Sequence, residues 1–213
     1  MKTDELISML STNLEPVKTE RLAVVLAASL GAGTAVALCL MMGMFGAPAQ
    51  AFRGGYFVLQ ALTLVFTLGL VLAGSRFLIK SARPGQSGRS SLLIIGLLFA
   101  SFLVAACAIL AAAGPASWAS MILGPQWSTC LLCIPLFAVA PFVALVWAMR
   151  KGAPTNLAPT GAMAGLVAGA LGATVFAVQY PSASIPFVVL WYGGLIALCA
   201  GIGALLGPRL LRW

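Results

Sequence analysis

Apolar residues fill most of this chain in six long stretches, separated by short segments rich in glycine, proline, serine or charge. A helix of about 20 apolar residues crosses the hydrocarbon core of a bilayer. Each stretch has this length, so each predicts one membrane-spanning helix. The predicted spans are residues 22–45, 56–79, 92–113, 129–149, 158–178 and 186–206.

The first 21 residues follow a different pattern, in which apolar residues recur at helical spacing among polar ones. The pattern predicts a short amphipathic helix that ends at Pro16. Its apolar stripe consists of Leu6, Ile7, Leu10 and Leu14. A helix of about twelve residues is marginal in water, so this stripe needs a partner. We therefore divide the chain into a leader, residues 1–21, and a transmembrane domain, residues 22–213.

Composition agrees with this all-α, six-span architecture. Hydrophobic residues make up 62% of the chain, charged residues only 8%, and the mean hydropathy is +1.08. These values are typical of an integral membrane protein with several spans. In a soluble chain the net charge of +8 would point to nucleic acid. Here the basic residues indicate instead which ends of the spans face the cytoplasm, and no direct contact with nucleic acid is expected.

The basic residues predict the orientation. Placing the leader in the cytoplasm puts every one of the twelve on the inner side except Arg53. The inner set is Lys2, Lys18, Arg21, Arg76, Lys80, Arg83, Arg89, Arg150, Lys151, Arg209 and Arg212. The positive-inside rule favours this arrangement, so both termini are expected in the cytoplasm. The first span is also too long for the apolar core of a signal peptide.

The predicted spans lack the groups that membrane enzymes and pumps use. No Asp, Glu, Lys or Arg falls in the middle of a span, and the chain has no histidine. Proton relays, metal sites and serine hydrolase chemistry all need such groups. A pump, a metalloprotease and a hydrolase are therefore disfavoured, and neither enzymatic activity nor a cofactor is expected.

Small residues recur every four positions in the last two spans. Gly161, Gly165 and Gly169 do so in the fifth span, and Gly193, Ala197 and Gly201 in the sixth. Such stripes let helix backbones approach closely, so both are interpreted as packing faces. Tryptophans near the span ends are expected to act as interfacial anchors. The segment "SWASMIL" before the fourth span is expected to form a short amphipathic turn at the outer interface.

All four acidic residues lie in the leader: Asp4, Glu5, Glu15 and Glu20. Asp4 and Glu5 fall in the first turn of the predicted helix, where a negative charge is favourable. Helices that lie on anionic lipid are usually rich in lysine and arginine, so this acidic leader does not suit the bilayer surface. A cytoplasmic protein with an apolar groove and a basic rim suits it better.

Two of the five cysteines form the motif "CLLC" at the outer end of the fourth span. Cys130 and Cys133 share a helix face at this spacing. A zinc site needs about four ligands, and the chain offers no second pair or histidine. A thiol sensor, a thiol relay and ordinary interfacial cysteines all remain open readings. Cys39, Cys107 and Cys199 are expected to be buried hydrophobic residues.

Several motifs together resemble the NrsF-type family of bacterial inner-membrane anti-sigma factors, the negative regulators of sigma F. They are "TDELI" in the leader, "CLLCIP" at residues 130–135, "WYGG" at residues 191–194 and the ending "GPRLLRW". The resemblance covers the whole chain. It implies that a short cytoplasmic N-terminal segment holds an extracytoplasmic-function sigma factor at the membrane and releases it on a stress signal.

The resemblance also assigns residues. The sigma-contacting segment falls on residues 4–14, and the family's first sensing cysteine falls on Cys130. The second cysteine of the family usually follows a histidine in the last outer loop, where this chain has Gln179 and Tyr180. Either Cys133 takes the place of the missing cysteine, or this member senses something else.

Two functions of other classes stay open at the level of sequence. A membrane thiol oxidoreductase would use Cys130 and Cys133, but it usually needs a second thiol pair, for which only the lone Cys39 and Cys107 are candidates. A small transporter would need a polar pathway through the spans, and the sequence does not supply one. Neither reading accounts for the acidic leader.

Overall fold

The computed structural model describes residues 20–46, 57–81, 88–152, 156–181 and 184–210. The predicted leader helix therefore lies outside the described residues, and of the leader only Glu20 and Arg21 are described, at the start of α1. All regular structure in the described ranges is helical. The helices are α1 (Glu20–Phe45), α2 (Phe57–Ser81), α3 (Arg89–Ala112), α4 (Pro115–Leu123), α5 (Trp127–Arg150), α6 (Leu157–Gln179) and α7 (Ile185–Leu210).

Six of the described helical segments are long and apolar enough to cross a membrane. They match the predicted spans to within a few residues at each end. The short α4 forms where the sequence predicts only an amphipathic turn. Pro115 occupies its first turn, where a missing N–H costs nothing, and Gly124 ends it with a φ of +56°.

The helices alternate in direction and place two different sets of side chains at the two ends of the bundle. At one end the rings of Phe45 and Tyr180 lie 5.5 Å apart, and the indole of Trp191 donates to the carbonyl of Ile122. We call this the tryptophan end, because Trp118, Trp127 and Trp191 lie there. At the opposite, basic end, Arg150 Nε donates to the carbonyl of Leu210 at 2.6 Å.

Every basic side chain that the structure describes belongs to helix ends that meet at the basic end. This set is Arg76, Lys80, Arg89, Arg150, Lys151 and Arg209. The sequence predicts that these residues share one side of the membrane, and the fold agrees. Trp147 lies at the basic end as well, where Lys151 Nζ sits 3.6 Å from the centre of its ring.

Helix α6 occupies the centre of the bundle and contacts α1, α2, α5 and α7. In its apolar window 83% of the positions are buried, against 11% in the peripheral α3. The sequence of α6 is dominated by glycine and alanine. Small residues around the whole circumference allow neighbouring helices to approach from every side.

Glycines make the contact between α6 and α7 close enough for backbone to touch backbone. A Cβ on Gly161 would lie 2.6 Å from the Cα of Gly207, and one on Gly165 would lie 2.9 Å from the carbonyl carbon of Cys199. A Cβ on Gly169 would meet the Cys199 side chain at the same distance. The predicted packing face of the fifth span is confirmed.

The packing face predicted for the sixth span is wrong. Ala197 and Gly201 are exposed, and Gly193 faces the ring of Phe99 rather than α6. The face that meets α6 carries Gly203 and Gly207 instead. The observed face, residues 199, 203 and 207, has the same four-residue spacing as the predicted face, residues 193, 197 and 201. The two series are offset by two positions along the helix. Two positions on an α-helix are about 200° apart, so periodicity alone does not choose between these nearly opposite faces.

Several polar side chains buried in the bundle bond to the backbone of their own helix. Ser29, Thr63 and Thr160 each donate to a carbonyl three or four residues earlier, at 2.7 to 2.9 Å. Gln60 is the exception with a long-range partner, since its Nε2 donates to the carbonyl of Ala177 on α6 at 3.1 Å. This bond ties the start of α2 to the end of α6.

Large apolar side chains cover the outside of the described helices, among them Leu93, Leu97, Leu132 and Leu205, each more than 70% exposed. An apolar surface this extensive is stable in lipid rather than in water. The fold is that of a helical bundle built to sit in a bilayer.

Substituting Gly165 by alanine should lower the free energy of unfolding by about 1–3 kcal/mol, because the new methyl group meets backbone atoms of α7 that cannot rotate away. Gly201→Ala adds the same group to the same pair of helices at a position with nothing within 4 Å. This control should be neutral or slightly stabilising. Unfolding of the two variants in mixed micelles, followed by circular dichroism, checks the difference. Equal stability would contradict the packing described here.

Candidate functional site

The six leader residues expected to bind a partner lie outside the described residues. They are Asp4, Glu5, Leu6, Ile7, Leu10 and Leu14. The fold does determine where the leader joins the bundle, because α1 begins at Glu20 at the basic end. The acidic leader is therefore attached at the end that carries the described cations. Its helix and its contacts stay predictions.

The two thiols of "CLLC" lie within the described part of the chain, in the first two turns of α5. Both are free, and Cys130 is 0% and Cys133 is 5% exposed. They share one buried face with Ile134 and Phe137. The predicted shared face is confirmed, and the pair lies near the tryptophan end. The thiols point into the bundle, however, and not to the surface as interfacial cysteines would.

A glycine on α6 explains why this face of α5 is so deeply buried. A Cβ on Gly172 would lie 2.6 Å from the carbonyl oxygen of Ile134 and 2.9 Å from the nitrogen of Ala138. The two backbones therefore touch just below the thiols. Pro135 adds a local weakness, because it has no N–H to bond the carbonyl of Leu131.

Helix α4 is clasped to the start of α7 near these thiols. Ser184 Oγ donates to the carbonyl of Met121 at 2.6 Å, and Trp191 Nε1 donates to the carbonyl of Ile122 at 3.0 Å. Both carbonyls lie in the last turn of α4, where a helix lacks its own donors. The ring of Trp127, at the start of α5, lies 5.7 Å from that of Trp191. We call these contacts the α4 clasp.

Aromatic rings fill the tryptophan end between α1, α6 and α7. Tyr180 packs on Phe45 and on Phe176, with ring centres 5.5 and 5.3 Å apart. Tyr192 is fully buried and contacts Phe176 and Phe187 at 6.0 and 6.3 Å. Tyr180, which occupies the expected position of a second cysteine, therefore serves as a packing residue.

Gln179, at the position expected for a histidine, has a different environment. Its Oε1 is buried and has no hydrogen-bond partner among the described residues. Gln60, also at this end, is buried and donates to the carbonyl of Ala177. Sequence reasoning missed Gln60, because a single glutamine at the start of an apolar run resembles an ordinary boundary residue.

A second feature that the sequence did not predict is a π-helical stretch at Val188–Gly193 in α7. It contains Trp191 and Tyr192, which belong to the α4 clasp and the aromatic cluster. Single π-helical turns inside α-helices occur frequently at functional sites. The only sequence signal for this stretch was the motif "WYGG", which carried the family resemblance.

Cys130 and Cys133 are the buried thiols of this end. Cys39 and Cys107, near the ends of α1 and α3, are exposed, so the expectation that they are buried is wrong. Among the described residues no group of three or more histidine, cysteine or acidic side chains could hold a metal ion. The described cations, which could activate a thiolate, all lie at the opposite end. Because Cys130 and Cys133 are buried, thiol chemistry there would first require the bundle to open around the start of α5.

Comparison with known proteins places the chain among regulators. The family described as NrsF, negative regulator of sigma F, matches residues 10–213. The chain is 34% identical to the anti-sigma-F factor NrsF of Caulobacter vibrioides and 30% identical to a probable anti-sigma-F factor NrsF of Azospira oryzae. Both matches cover 100% of each chain. No solved structure matches.

In the folded protein, Cys130 and Cys133 should react with N-ethylmaleimide at least about tenfold more slowly than an exposed thiol, because reaction requires the bundle to open. Single-cysteine proteins, with the other cysteines changed to alanine, isolate each site. Ser128→Cys provides the matched control, since Ser128 is exposed two residues before Cys130. Mass spectrometry after timed labelling in mild detergent gives the rates. Similar rates at all three positions would contradict the burial of the pair.

Proposed function

The chain belongs to the NrsF family of negative regulators of sigma F, and from that membership we propose that it is a membrane-bound anti-sigma factor. Its relatives are regulatory proteins rather than enzymes, which confirms the expectation that this chain is not an enzyme. In the proposed function, the leader binds an extracytoplasmic-function sigma factor. The transmembrane domain keeps that complex at the bacterial inner membrane.

The observation that carries this proposal is the concentration of all four carboxylates within the first 20 residues, beside a stripe of apolar side chains. An acidic amphipathic helix suits a groove with a basic rim, and proteins that bind nucleic acid have such surfaces. Occupying that surface would keep the sigma factor from the transcription machinery. The site residues proposed for this contact are Asp4, Glu5, Leu6, Ile7, Leu10 and Leu14.

The proposal requires the leader to reach the cytoplasm. We infer that the basic end faces the cytoplasm, because the positive-inside rule places excess lysine and arginine there. The leader joins α1 at that end, and α7 finishes there. Both termini would then be cytoplasmic, and the tryptophan end would face the periplasm.

The route of release is proposed to involve the tryptophan end. Cys130 and Cys133 lie in the first two turns of α5 at this end, and an oxidant or thiophilic metal that reached them would disturb the packing of α5 on its neighbours. The double variant Cys130→Ser with Cys133→Ser tests this reading. If the pair senses an oxidant or a thiophilic metal, this variant should lose inducible release while retaining basal repression. Unchanged induction would leave the pair as core residues.

A membrane thiol oxidoreductase and a transporter are less well supported. The oxidoreductase would need accessible thiols, whereas Cys130 and Cys133 are buried. A transporter would need a polar pathway, whereas the buried hydroxyls of Ser29, Thr63 and Thr160 donate to carbonyls of their own helices. Relatives of either class do not appear among the proteins matched above.

Changing Leu10 and Leu14 to alanine together should release the sigma factor and switch on its genes. Burying one leucine contributes about 1.5–3 kcal/mol, whereas an exposed carboxylate contributes under about 1 kcal/mol. Asp4→Asn with Glu5→Gln should therefore weaken binding less, and most clearly at low salt. Ser8→Ala with Ser11→Ala, on the polar face, is the matched control.

Binding of a peptide covering residues 1–18 to the cognate sigma factor measures these differences directly. Target-gene expression in a strain whose protein starts at Glu20 provides the second measurement. Full repression by the shortened protein would show that the leader is not the inhibitory element.

Reporter fusions test the orientation. A reporter active only in the cytoplasm should work after Trp213 or within residues 80–89, because α2 and α7 end, and α3 begins, at the basic end. A reporter active only in the periplasm should work within residues 114–127. The reverse pattern would place the leader outside the cell and would exclude the proposed contact with a sigma factor.

A further inference from the structure

An apolar groove opens to the outside of the bundle between α5, α6 and α7. Its volume is about 320 Å³, and its walls carry only apolar side chains. The main ones are Pro135, Ala138, Val139, Ala168, Ile202 and Leu206. The groove exists because Gly165 brings α6 and α7 together at its floor, while Pro135 leaves no long side chain on α5 to fill it.

A second hollow of about 250 Å³ continues this groove to the basic end. The ring of Phe142 lines both, so they form one track along α5 and α7. Trp147, Arg150 and Leu210 line its last part. At a rise of 1.5 Å per residue, the track from residue 135 to residue 147 is about 18 Å long. One leaflet of hydrocarbon is about 15 Å thick.

Cations are fixed where the track ends. Arg150 Nε donates to the carbonyl of Leu210 at 2.6 Å, which holds the guanidinium at the junction of α5 and α7. This bond uses one of the five N–H groups of the side chain. Lys151 Nζ is held over the ring of Trp147 at 3.6 Å. Arg209 immediately precedes Leu210 and is exposed.

These cations have no carboxylate side chain near them in the transmembrane domain. Every acidic residue of the chain lies at or before Glu20. Cationic clusters between helix ends at a membrane surface attract anionic lipid headgroups, and each cation contributes appreciably to that attraction. The charge of the site and the shape of the track therefore point to the same class of ligand.

We propose that the α5–α7 track binds one anionic phospholipid of the surrounding bilayer. One acyl chain lies in the apolar groove, and the phosphate group lies against Arg150 and Lys151. Trp147 marks the boundary between the two parts, as tryptophans do at the level of lipid headgroups. The bound lipid fills a crevice beside the α6–α7 contact and places a negative charge beside Arg150 and Lys151.

The test uses the full chain in mild detergent, titrated with dioleoylphosphatidylglycerol or with dioleoylphosphatidylcholine. Native mass spectrometry counts the lipids bound to each protein molecule. The anionic lipid should bind at least about fivefold more tightly than the zwitterionic one, and Arg150→Gln with Lys151→Gln should remove that preference. Arg89→Gln, an exposed cation at the same end but away from the track, should leave it unchanged.

A second pair of variants tests the apolar part. Ile202→Trp should fill the groove and weaken the binding of both lipids. Leu205→Trp introduces the same ring on the lipid-facing side of α7, outside the groove, and should have no effect. Circular dichroism confirms that each variant is folded. If Ile202→Trp does not fold, Ala168→Leu fills the same groove from α6.

Three results would overturn the proposal. The first is equal affinity for the two lipids in the unaltered protein. The second is an anionic preference that survives the change of Arg150 and Lys151. The third is equally tight binding of glycerol 3-phosphate, which has the headgroup charge without an acyl chain and would indicate a phosphate site rather than a lipid site.

Discussion

Close contact between the backbones of α6 and α7 is the interaction on which the rest of the structure depends. In lipid, apolar side chains gain little by meeting each other rather than the acyl chains, so helices associate through close packing and hydrogen bonds. Gly161 and Gly165 provide such packing against Gly203 and Cys199. Because α6 carries small side chains on its other faces as well, α5 and α2 can pack closely against them. The burial of Cys130 and Cys133 follows from this, since Gly172 draws α5 onto α6.

The second constraint is the cost of leaving a buried polar group without a hydrogen bond, which most of the buried groups named above avoid and Gln179 Oε1 does not within the described part of the chain. Buried serines and threonines bond to their own helix, and Gln60 joins α2 to α6. The carbonyls at the end of α4 accept from Ser184 and Trp191, which ties α4 to α7. These few bonds, with the aromatic rings around Tyr192, determine the shape of the tryptophan end. A signal received there would have to break some of them.

The two ends of the molecule differ in charge. The described cations meet at the basic end, and the leader with all the carboxylates is attached there too. The acidic leader and the anionic lipid proposed for the α5–α7 track are both complementary to that end. The leader is also the one part of the chain with the composition of a soluble binding surface. This division explains how a mostly apolar protein would hold a soluble partner.

The sequence by itself determined the number of spans, their approximate ends and the grouping of the basic residues. The lengths of the apolar stretches and the positions of the charged residues between them decide those features, and both can be read directly along the chain. It also identified the glycine face of α6 and the shared face of Cys130 and Cys133, because helical spacing places residues on faces. Only the tertiary structure decided which face of α7 meets α6, since two small-residue series with equal spacing compete there. It also decided that both thiols are buried, that Gln60 pairs with α6 and that a π-helical stretch carries Trp191, because each of these depends on helices that are distant in sequence.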